Sequence, residues 1–282
     1  MKPALAEAAA IEAAAPRWLA LARRALVALP WAGAAAAGAW QTWRLRVAVA
    51  RARQLAAKAR PYECRPAGVR SRVLVVGDST AVGVGAGAAE HSLPGLLAEA
   101  FPRVQIVNVA VSGARIADAL VQVEAAAARG ERFDLALLLV GGNDVFRHTP
   151  WRRLKADTRA LLAALKPLAR RCVWLGSADI GAAPVFTPPL AWWLRRRTTR
   201  AATLFAHEAR AAGVHFIDFA DDALGTPFAD DAATWFAADG VHPSAASYRH
   251  CFELLREQAA LDELLAADAC LPQPVVARVA AP

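Results

Sequence analysis

The chain has 282 residues, of which 56% are hydrophobic and 21% charged, and its formal net charge is +8. This hydrophobic content excludes disorder as the main state, and the length suffices for one large domain, alone or with an appendage. Four cysteines without CxxC spacing form neither a disulfide framework nor a zinc site.

The positive charge is concentrated at the start of the chain. Residues 1–72 carry 13 basic and 3 acidic groups, whereas residues 73–282 carry 20 basic and 22 acidic groups. A protein that binds nucleic acid needs a basic face on its folded part. The near-neutral remainder therefore excludes a nucleic-acid-binding domain, and the basic excess belongs to an appendage.

This N-terminal leader, residues 1–72, is rich in Ala and Arg. Its longest apolar run, residues 25–40, has sixteen residues, fewer than the roughly 20 that a membrane-spanning helix needs. Tryptophans and arginines lie in or beside the run, as at a membrane interface: Trp18, Trp31, Trp40, Trp43, Arg23, Arg24, Arg44 and Arg46. Three interpretations stay open, namely a signal anchor or shallow membrane hairpin, a cleaved secretory signal, and a helical extension packed on the body.

Residues 43–60 do not predict an amphipathic helix, because their basic side chains would form two rows about 160° apart around the axis. The rows are Arg44, Arg51, Lys58 and Arg46, Arg53, Arg60. The segment is interpreted as a basic juxtamembrane stretch that meets anionic lipid headgroups. We therefore expect membrane association through the leader, with a soluble cytoplasmic or periplasmic protein as the alternative.

From residue 73 onward, apolar runs typical of strands alternate with helical stretches rich in Ala and Leu. The predicted strands are 73–76, 104–110, 135–141, 172–177 and 214–219, and the predicted helices are about 89–100, 115–128, 151–168, 190–212 and 244–259. Continuous apolar runs indicate strands buried on both faces, as in a parallel sheet covered by helices. The sequence thus predicts a three-layer α/β/α domain with a five-stranded parallel sheet at 73–264, followed by a loose tail at 265–282.

A serine directly follows the first predicted strand. Right-handed crossovers place the carboxyl ends of all the strands on one edge, where such sheets bind ligands. Ser79 can present its hydroxyl there, and Asp78 is expected to hold the turn by hydrogen bonds. A P-loop is excluded because no GxxxxGK[ST] pattern is present, and the glycines at 83, 85 and 87 are a weak dinucleotide signal.

A second polar turn, from Asp239 to His242, precedes the last long helix. An Asp and a His three residues apart can bond through imidazole Nδ1, which leaves Nε2 free to take a proton from Ser79. Two further loops follow predicted strands and carry Gly113 and Asn143. Acyl transfer needs donors aimed at a developing oxyanion. The candidates are the Ser79 amide, the Gly113 amide and the Asn143 side chain.

Together these blocks resemble the SGNH (GDSL-type) hydrolase family, which has a Ser in GDS, a Gly after the second strand, an Asn in GxND and a C-terminal DxxH. They stand here in the same order within about residues 73–260, as Gly77-Asp78-Ser79, Gly113, Gly142-Asn143-Asp144 and Asp239 to His242. The resemblance implies a flavodoxin-like hydrolase fold and an esterase with a Ser79–His242–Asp239 triad and an acyl-enzyme intermediate. It also implies an oxyanion hole of Ser79, Gly113 and Asn143, and no metal or organic cofactor.

The substrate is predicted from the uncharged stretch 182–194, which follows the fourth strand and holds three prolines. A loop there would overhang the serine, so Phe186, Trp192 and Trp193 are expected to bind an acyl chain, and the arginines at 195–197 a phosphate or lipid headgroup. This favours a lysophospholipase-like esterase acting on a small-molecule or lipid ester. Two alternatives stay open: the stretch packs as core, or the site serves a carbohydrate O-acetyl esterase or an acyltransferase. The sequence does not determine the oligomeric state.

Overall fold

Within residues 17–219 and 231–266, which the computed structural model describes, five parallel strands form one sheet. The strands are β1 (Ser71–Gly77), β2 (Val104–Asn108), β3 (Phe133–Leu139), β4 (Ala169–Leu175) and β5 (His215–Ile217). Their order across the sheet is β2-β1-β3-β4-β5, and every adjacent pair is parallel. The predicted parallel sheet and its flavodoxin-like strand order are confirmed.

Helices connect the strands and cover both faces of the sheet. In chain order they are α1 (Arg17–Lys58), α2 (Ser79–Val82), α3 (Leu93–Ala100), α4 (Ile116–Ala128), α5 (Gly142–Phe146), α6 (Trp151–Leu165), α7 (Leu190–Ala212), α8 (Ala232–Trp235), α9 (Ala245–Gln258) and α10 (Leu261–Ala266). The five helices predicted after residue 73 correspond to α3, α4, α6, α7 and α9, so the three-layer α/β/α architecture is confirmed.

Alternate residues of β1 belong to two separate cores, because successive side chains of a strand point to opposite faces. Val73 and Val75 join the core that packs under α3, α9 and α10. Leu74 and Val76 join the core under α4, α6 and α7. All four side chains are fully buried. This double burial explains why the strands appear in the sequence as continuous apolar runs.

The predicted helical leader is present as α1. The chain divides into two compact units, Met1–Arg46 and Val47–Pro282. In the second unit, the last turns of α1 and the segment just after it belong to the core. Leu55, Ala56 and Tyr62 pack against the cluster under α3. Among the described helices none is long and apolar enough to cross a membrane. The predicted tail at 265–282 lies almost wholly outside the described residues.

The strand order also places the candidate residues. The chain moves from β1 to β2 on one side and then to β3 on the other, so the direction of winding reverses at β1. Open α/β sheets bind ligands at the carboxyl edge of such a reversal. Ser79, Gly113 and Asn143 follow β1, β2 and β3 respectively, and therefore lie on that edge.

One buried side chain ties the core to the loop after β3. The Trp174 ring on β4 is fully buried and packs 4.7 Å from the Phe205 ring and 5.5 Å from the Phe216 ring, measured between centroids. Its Nε1 donates a 3.0 Å hydrogen bond to the Val140 carbonyl, just beyond β3. Trp174 therefore supports the backbone that leads to Asn143.

Replacing this tryptophan should cost stability. We expect Trp174→Phe to lower the free energy of unfolding by about 1–3 kcal/mol, because the smaller ring leaves a cavity and the Val140 carbonyl loses its donor. Urea denaturation followed by circular dichroism measures the change. Trp192→Phe, at a position 65% exposed, is the matched control and should stay within about 0.5 kcal/mol. Equal stabilities of the two variants would contradict this assignment.

Candidate active site

The serine turn is held by buried polar contacts on both sides. Asp78 caps α2, and its Oδ1 accepts hydrogen bonds of 2.9 Å from both the amide and the hydroxyl of Thr80. The Gln122 side chain on α4 binds both backbone groups of Gly77. Its oxygen accepts a hydrogen bond from the Gly77 amide at 2.9 Å, and its nitrogen donates one to the Gly77 carbonyl at 3.0 Å. Ser79 is thereby fixed as the first residue of α2. The expectation that Asp78 holds this turn is confirmed.

Glycine at position 77 is required by the close approach of β3. A Cβ there would stand 2.1 Å from the Leu139 carbonyl oxygen, which accepts a 3.0 Å hydrogen bond from the Asp78 amide. No larger residue fits without separating the two strands. The GDS motif thus combines a strand-end glycine, a capping carboxylate and a partly exposed serine.

The Asp239 turn orients the imidazole of His242. Asp239 Oδ1 accepts from the amides of Val241 at 2.9 Å and His242 at 3.0 Å, and Oδ2 contacts His242 Nδ1 at 2.5 Å. Burial raises the pKa of the Asp239 carboxyl, but the bonds from the His242 ring and the two amides outweigh burial and hold this pKa below its ordinary value. An ionised Asp239 keeps the proton on Nδ1 and leaves Nε2 as an acceptor.

The imidazole in turn reaches the serine. His242 Nε2 lies 2.9 Å from Ser79 Oγ, which joins residues 163 positions apart in the sequence. The Asp239 side chain is fully buried and that of His242 is 15% exposed, so the pair is shielded while the serine end stays accessible. Ser79, His242 and Asp239 therefore form one continuous chain of hydrogen bonds.

Two residues outside the predicted site allow this approach. Gly85 adopts φ +95°, and a Cβ on it would stand 2.2 Å from the Pro243 carbonyl oxygen and 3.3 Å from the His242 Cβ. Tyr248 of α9 donates a 2.9 Å hydrogen bond to the Val84 carbonyl. Burial raises the pKa of the Tyr248 phenol well above its ordinary value, so it remains a donor. The loop after α2 is thus packed directly against the His242 turn.

Asn143 contacts a sequence neighbour of each of the other two predicted oxyanion donors. The Asn143 amide nitrogen contacts the Ala114 carbonyl at 3.1 Å, one residue after Gly113, and Asp78 Oδ2 at 3.3 Å, one residue before Ser79. Within the described residues, the backbone amides of Ser79 and Gly113 have no hydrogen-bond acceptor. Gly113 adopts φ +84°, which glycine tolerates best. The Asn143 side chain therefore connects the loop that carries Gly113 to the turn that carries Ser79.

The neighbouring carboxyl of Asp144 also serves the loops. It is buried, and its two oxygens accept from the Ile116 amide at 2.9 Å and from the Thr149 hydroxyl at 2.7 Å. Burial raises its pKa, which these hydrogen bonds partly offset. Asp144 holds the loop after β2 to the loop after β3, as expected for a structural aspartate. Among the described residues no group of His, Cys, Asp and Glu side chains could hold a metal ion.

The predicted substrate-binding residues occupy different environments. Phe186 is only 7% exposed and lies 6.0 Å, between ring centroids, from Phe146 of α5. The uncharged stretch runs into α7, which begins at Leu190, so Trp192 and Trp193 lie on the first turn of that helix rather than in a loop. Their exposed fractions are 65% and 41%. The stretch is thus partly core and partly surface.

The loop before α7 lies beside the Asp239 turn. A Cβ on Gly240 would stand 3.4 Å from Pro184 and 4.0 Å from the Val185 Cβ. Val185 is 5% exposed, so this part of the loop is packed against the protein and does not project into solvent. The first part of the apolar stretch therefore lies beside the turn that carries Asp239.

Two of the three arginines after this stretch have partners within the chain. Arg195 pairs with Asp179 at 2.6 Å. Arg197 donates to the carbonyls of Val145 at 3.0 Å and Thr149 at 2.7 Å. These bonds engage two of the three arginines that the sequence assigned to a phosphate or headgroup.

Several positioning residues were not found from the sequence. Gln122 is a single amide on the buried face of an apolar helix, which is the signal that could have revealed it. Gly85 belonged to a glycine pattern that was considered only for nucleotide binding. Arg51 of α1 donates a 3.1 Å hydrogen bond to the Ala238 carbonyl beside Asp239, and nothing in the local pattern indicates it.

Comparisons with known proteins agree with this geometry. Residues 75–250 match the GDSL-like Lipase/Acylhydrolase family. The GDSL-like esterase Rv1075c of Mycobacterium tuberculosis is 28% identical over 192 residues, which cover 65% of this chain and 60% of the length of that relative.

Solved structures share the fold. TesA superposes with a TM-score of 0.54 at 20% identity, over 69% of this chain and 99% of that one. A variant of the acetyl xylan esterase Axe2 from Geobacillus stearothermophilus gives 0.51 at 23% identity, over 67% and 95%. The esterase EstA from Pseudoalteromonas sp. gives 0.52 at 17% identity, over 68% and 97%. Because the family match covers more than half of the chain, the predicted family is confirmed: this chain belongs to the GDSL-like lipase/acylhydrolase family.

Proposed function

We propose that this protein is a serine hydrolase that cleaves carboxylic esters. The observation that carries the proposal is the His242 ring, which contacts Asp239 at 2.5 Å through Nδ1 and Ser79 at 2.9 Å through Nε2. A serine paired with an oriented base is the arrangement that activates a hydroxyl for nucleophilic attack. Family membership and the esterase relative support the same reaction class.

The reaction follows from the order of these contacts. Ser79 Oγ attacks the ester carbonyl as His242 Nε2 takes its proton, and Asp239 stabilises the resulting imidazolium. His242 then returns the proton to the leaving alcohol, which departs and leaves Ser79 acylated. Water activated by the same imidazole hydrolyses the acyl-enzyme and restores the serine.

The oxyanion is held by the amides of Ser79 and Gly113 and by the Asn143 side chain. The Asn143 contact with Asp78 is 3.3 Å long, at the weak end of the hydrogen-bond range. The N–H that makes this long contact is therefore the one that turns to the oxyanion as charge develops. The 3.1 Å bond to the Ala114 carbonyl keeps the amide in place during that exchange.

The proposed substrate is an ester with an apolar acyl chain, such as a lysophospholipid. Three large apolar side chains near the sheet edge are exposed: Val111 before Gly113, Phe146 at the end of α5, and Trp192 on α7. Exposed apolar groups beside a nucleophile favour substrates that bury methylenes.

The alternative is a carbohydrate O-acetyl esterase or acyltransferase. The observation that supports it is the exposed Trp193 ring, whose centroid lies 4.4 Å from that of the His148 ring. Exposed aromatic rings can stack on sugars. Both substrate classes use the same three hydrogen-bonded residues, so the acyl length decides between them.

The proposal extends to the leader, which would bind a membrane surface. Trp40 and Trp43 of α1 stack with ring centroids 4.9 Å apart and are both more than half exposed. Stacked, exposed tryptophans beside arginines suit the headgroup region of an anionic bilayer. No spanning segment is required for this surface contact.

The catalytic assignment is tested at Ser79. We expect Ser79→Ala to lower kcat for p-nitrophenyl butyrate by about 10⁴-fold or more, because among the described residues no other hydroxyl contacts the base. Ser112→Ala, which removes an exposed serine in the adjacent loop, should leave kcat within a few-fold. A fluorophosphonate probe should label the wild type and Ser112→Ala but not Ser79→Ala. Labelling of Ser79→Ala, or activity above about 1% of wild type, would show another nucleophile.

The acyl preference is tested with p-nitrophenyl esters from acetyl to octanoyl. We expect kcat/KM to rise with chain length, since each buried methylene contributes about 0.8 kcal/mol. Phe146→Ala and Trp192→Ala should flatten the rise, whereas Val121→Ala, at an exposed apolar position on α4, should not. A profile that peaks at acetyl and declines thereafter would reject the lipid substrate and favour the deacetylase.

Membrane binding is tested by sedimentation with vesicles of phosphatidylcholine and phosphatidylglycerol. The full chain should sediment with them, and the chain starting at Val47 should not, because it lacks Trp40 and Trp43. We choose Val47 because Leu55 and Tyr62 belong to the core and must be kept. A Trp40→Ser, Trp43→Ser double variant of the full chain should bind more weakly. Equal sedimentation of all three proteins would contradict the proposal.

A further inference from the structure

A cationic side chain lies beside the proposed oxyanion hole. Arg147 follows α5 directly, four residues after Asn143, and its backbone amide donates to the Asn143 carbonyl at 2.9 Å. Its Nη2 atom lies 3.4 Å from the point where a Cβ on Gly113 would stand. The guanidinium therefore lies against the glycine whose amide points to the reacting carbonyl in the proposed mechanism.

This guanidinium has no acceptor within the described part of the chain. Arg147 is exposed, and neither a carboxylate nor a carbonyl there accepts from its side chain. The nearest buried acid in the sequence, Asp144, uses its oxygens for the Ile116 amide and the Thr149 hydroxyl. All five N–H donors of the fork thus remain available to a ligand.

Three neighbouring arginines differ from Arg147 in this respect. Arg115 lies 3.8 Å from Asp118, and Arg195 lies 2.6 Å from Asp179. Arg197 donates to two carbonyls and stacks 4.5 Å from the Trp151 ring centroid. A planar fork that is left unpaired among paired neighbours is suited to bidentate binding of a carboxylate or phosphate.

We propose that Arg147 binds an anionic group, a carboxylate or a phosphate, carried by the ester substrate close to the scissile bond. This inference rests on the proposed ester hydrolysis and adds its charge specificity. Phe146 and Val111, both exposed, flank the same loops and would contact the apolar part. The substrate class is thus an anionic amphiphile, with its charge held beside Gly113 and its chain along the apolar side chains.

The test uses matched ester pairs that differ in charge. One pair places the charge on the alcohol side, m-acetoxybenzoate and its methyl ester. Another places it on the acyl side, p-nitrophenyl hydrogen glutarate and its methyl ester. A third compound, m-acetoxyphenyl phosphate, distinguishes phosphate from carboxylate. The measured quantity is the ratio of kcat/KM for the charged ester to that for its neutral partner, corrected for spontaneous hydrolysis.

We expect wild-type protein to show a ratio of roughly fivefold or more for at least one charged ester, decreasing as ionic strength rises. Arg147→Gln should bring the ratio to the value set by the substrates alone, and Arg147→Lys should retain part of it. Arg170→Gln, on β4 and exposed, removes the same charge elsewhere and should leave the ratio unchanged.

The outcomes separate this inference from the proposed function. Failure to hydrolyse the neutral esters, with no difference from Ser79→Ala, would reject ester hydrolysis itself. Normal neutral-ester rates together with a ratio that Arg147→Gln does not change would overturn only the role of Arg147. An equal loss on charged and neutral esters would also overturn it, because the side chain would then act on the oxyanion or on folding rather than on substrate charge.

Discussion

The 2.9 Å contact between His242 and Ser79 depends on how closely two distant loops can approach each other. Gly85 permits this approach, because a Cβ on any other residue at this position would overlap the Pro243 carbonyl oxygen. The Tyr248 hydroxyl then fastens the same loop to α9 through the Val84 carbonyl. Because α9 and the loop after α2 are held together in this way, the histidine has little freedom to move away from the serine. The short distance between His242 and Ser79 therefore follows from the packing of the two backbones. The side chains add the hydrogen bonds that join Asp239, His242 and Ser79.

Buried polar residues give the loops at the sheet edge their rigidity. Gln122 holds Gly77, Asp78 holds Thr80, and Asp144 holds the loops after β2 and β3 together. Each group would be costly to bury without partners, and each is satisfied mainly by backbone amides or hydroxyls. The network orders the loops before any substrate arrives. Such preorganisation is what an oxyanion site requires, since donors that must rearrange contribute less to the transition state.

Charge and apolar surface are arranged differently around the site from what the linear sequence indicates. The run of arginines after the tryptophans was expected to face a phosphate, but Arg195 and Arg197 are bound to Asp179 and to two carbonyls. Arg147, an isolated basic residue in the sequence, is the one beside Gly113. Similarly, Phe186 is packed against Phe146, which leaves Phe146 as the more exposed ring. The packing of the helices and loops thus determines which arginine and phenylalanine side chains are available to a ligand.

The sequence by itself determined the fold class and named the candidate reactive groups. Continuous apolar runs require a sheet covered on both faces, and short polar motifs after those runs must lie at its carboxyl edge. Ser79, His242, Asp239, Gly113 and Asn143 could therefore be named without coordinates. The supporting contacts could not, because Gln122, Gly85, Tyr248 and Arg51 act across more than forty residues of sequence and belong to no local pattern. Only the tertiary structure decided which backbones approach closely, which arginines near the site have partners and which rings are exposed, since each depends on distances between segments that the order of residues does not specify.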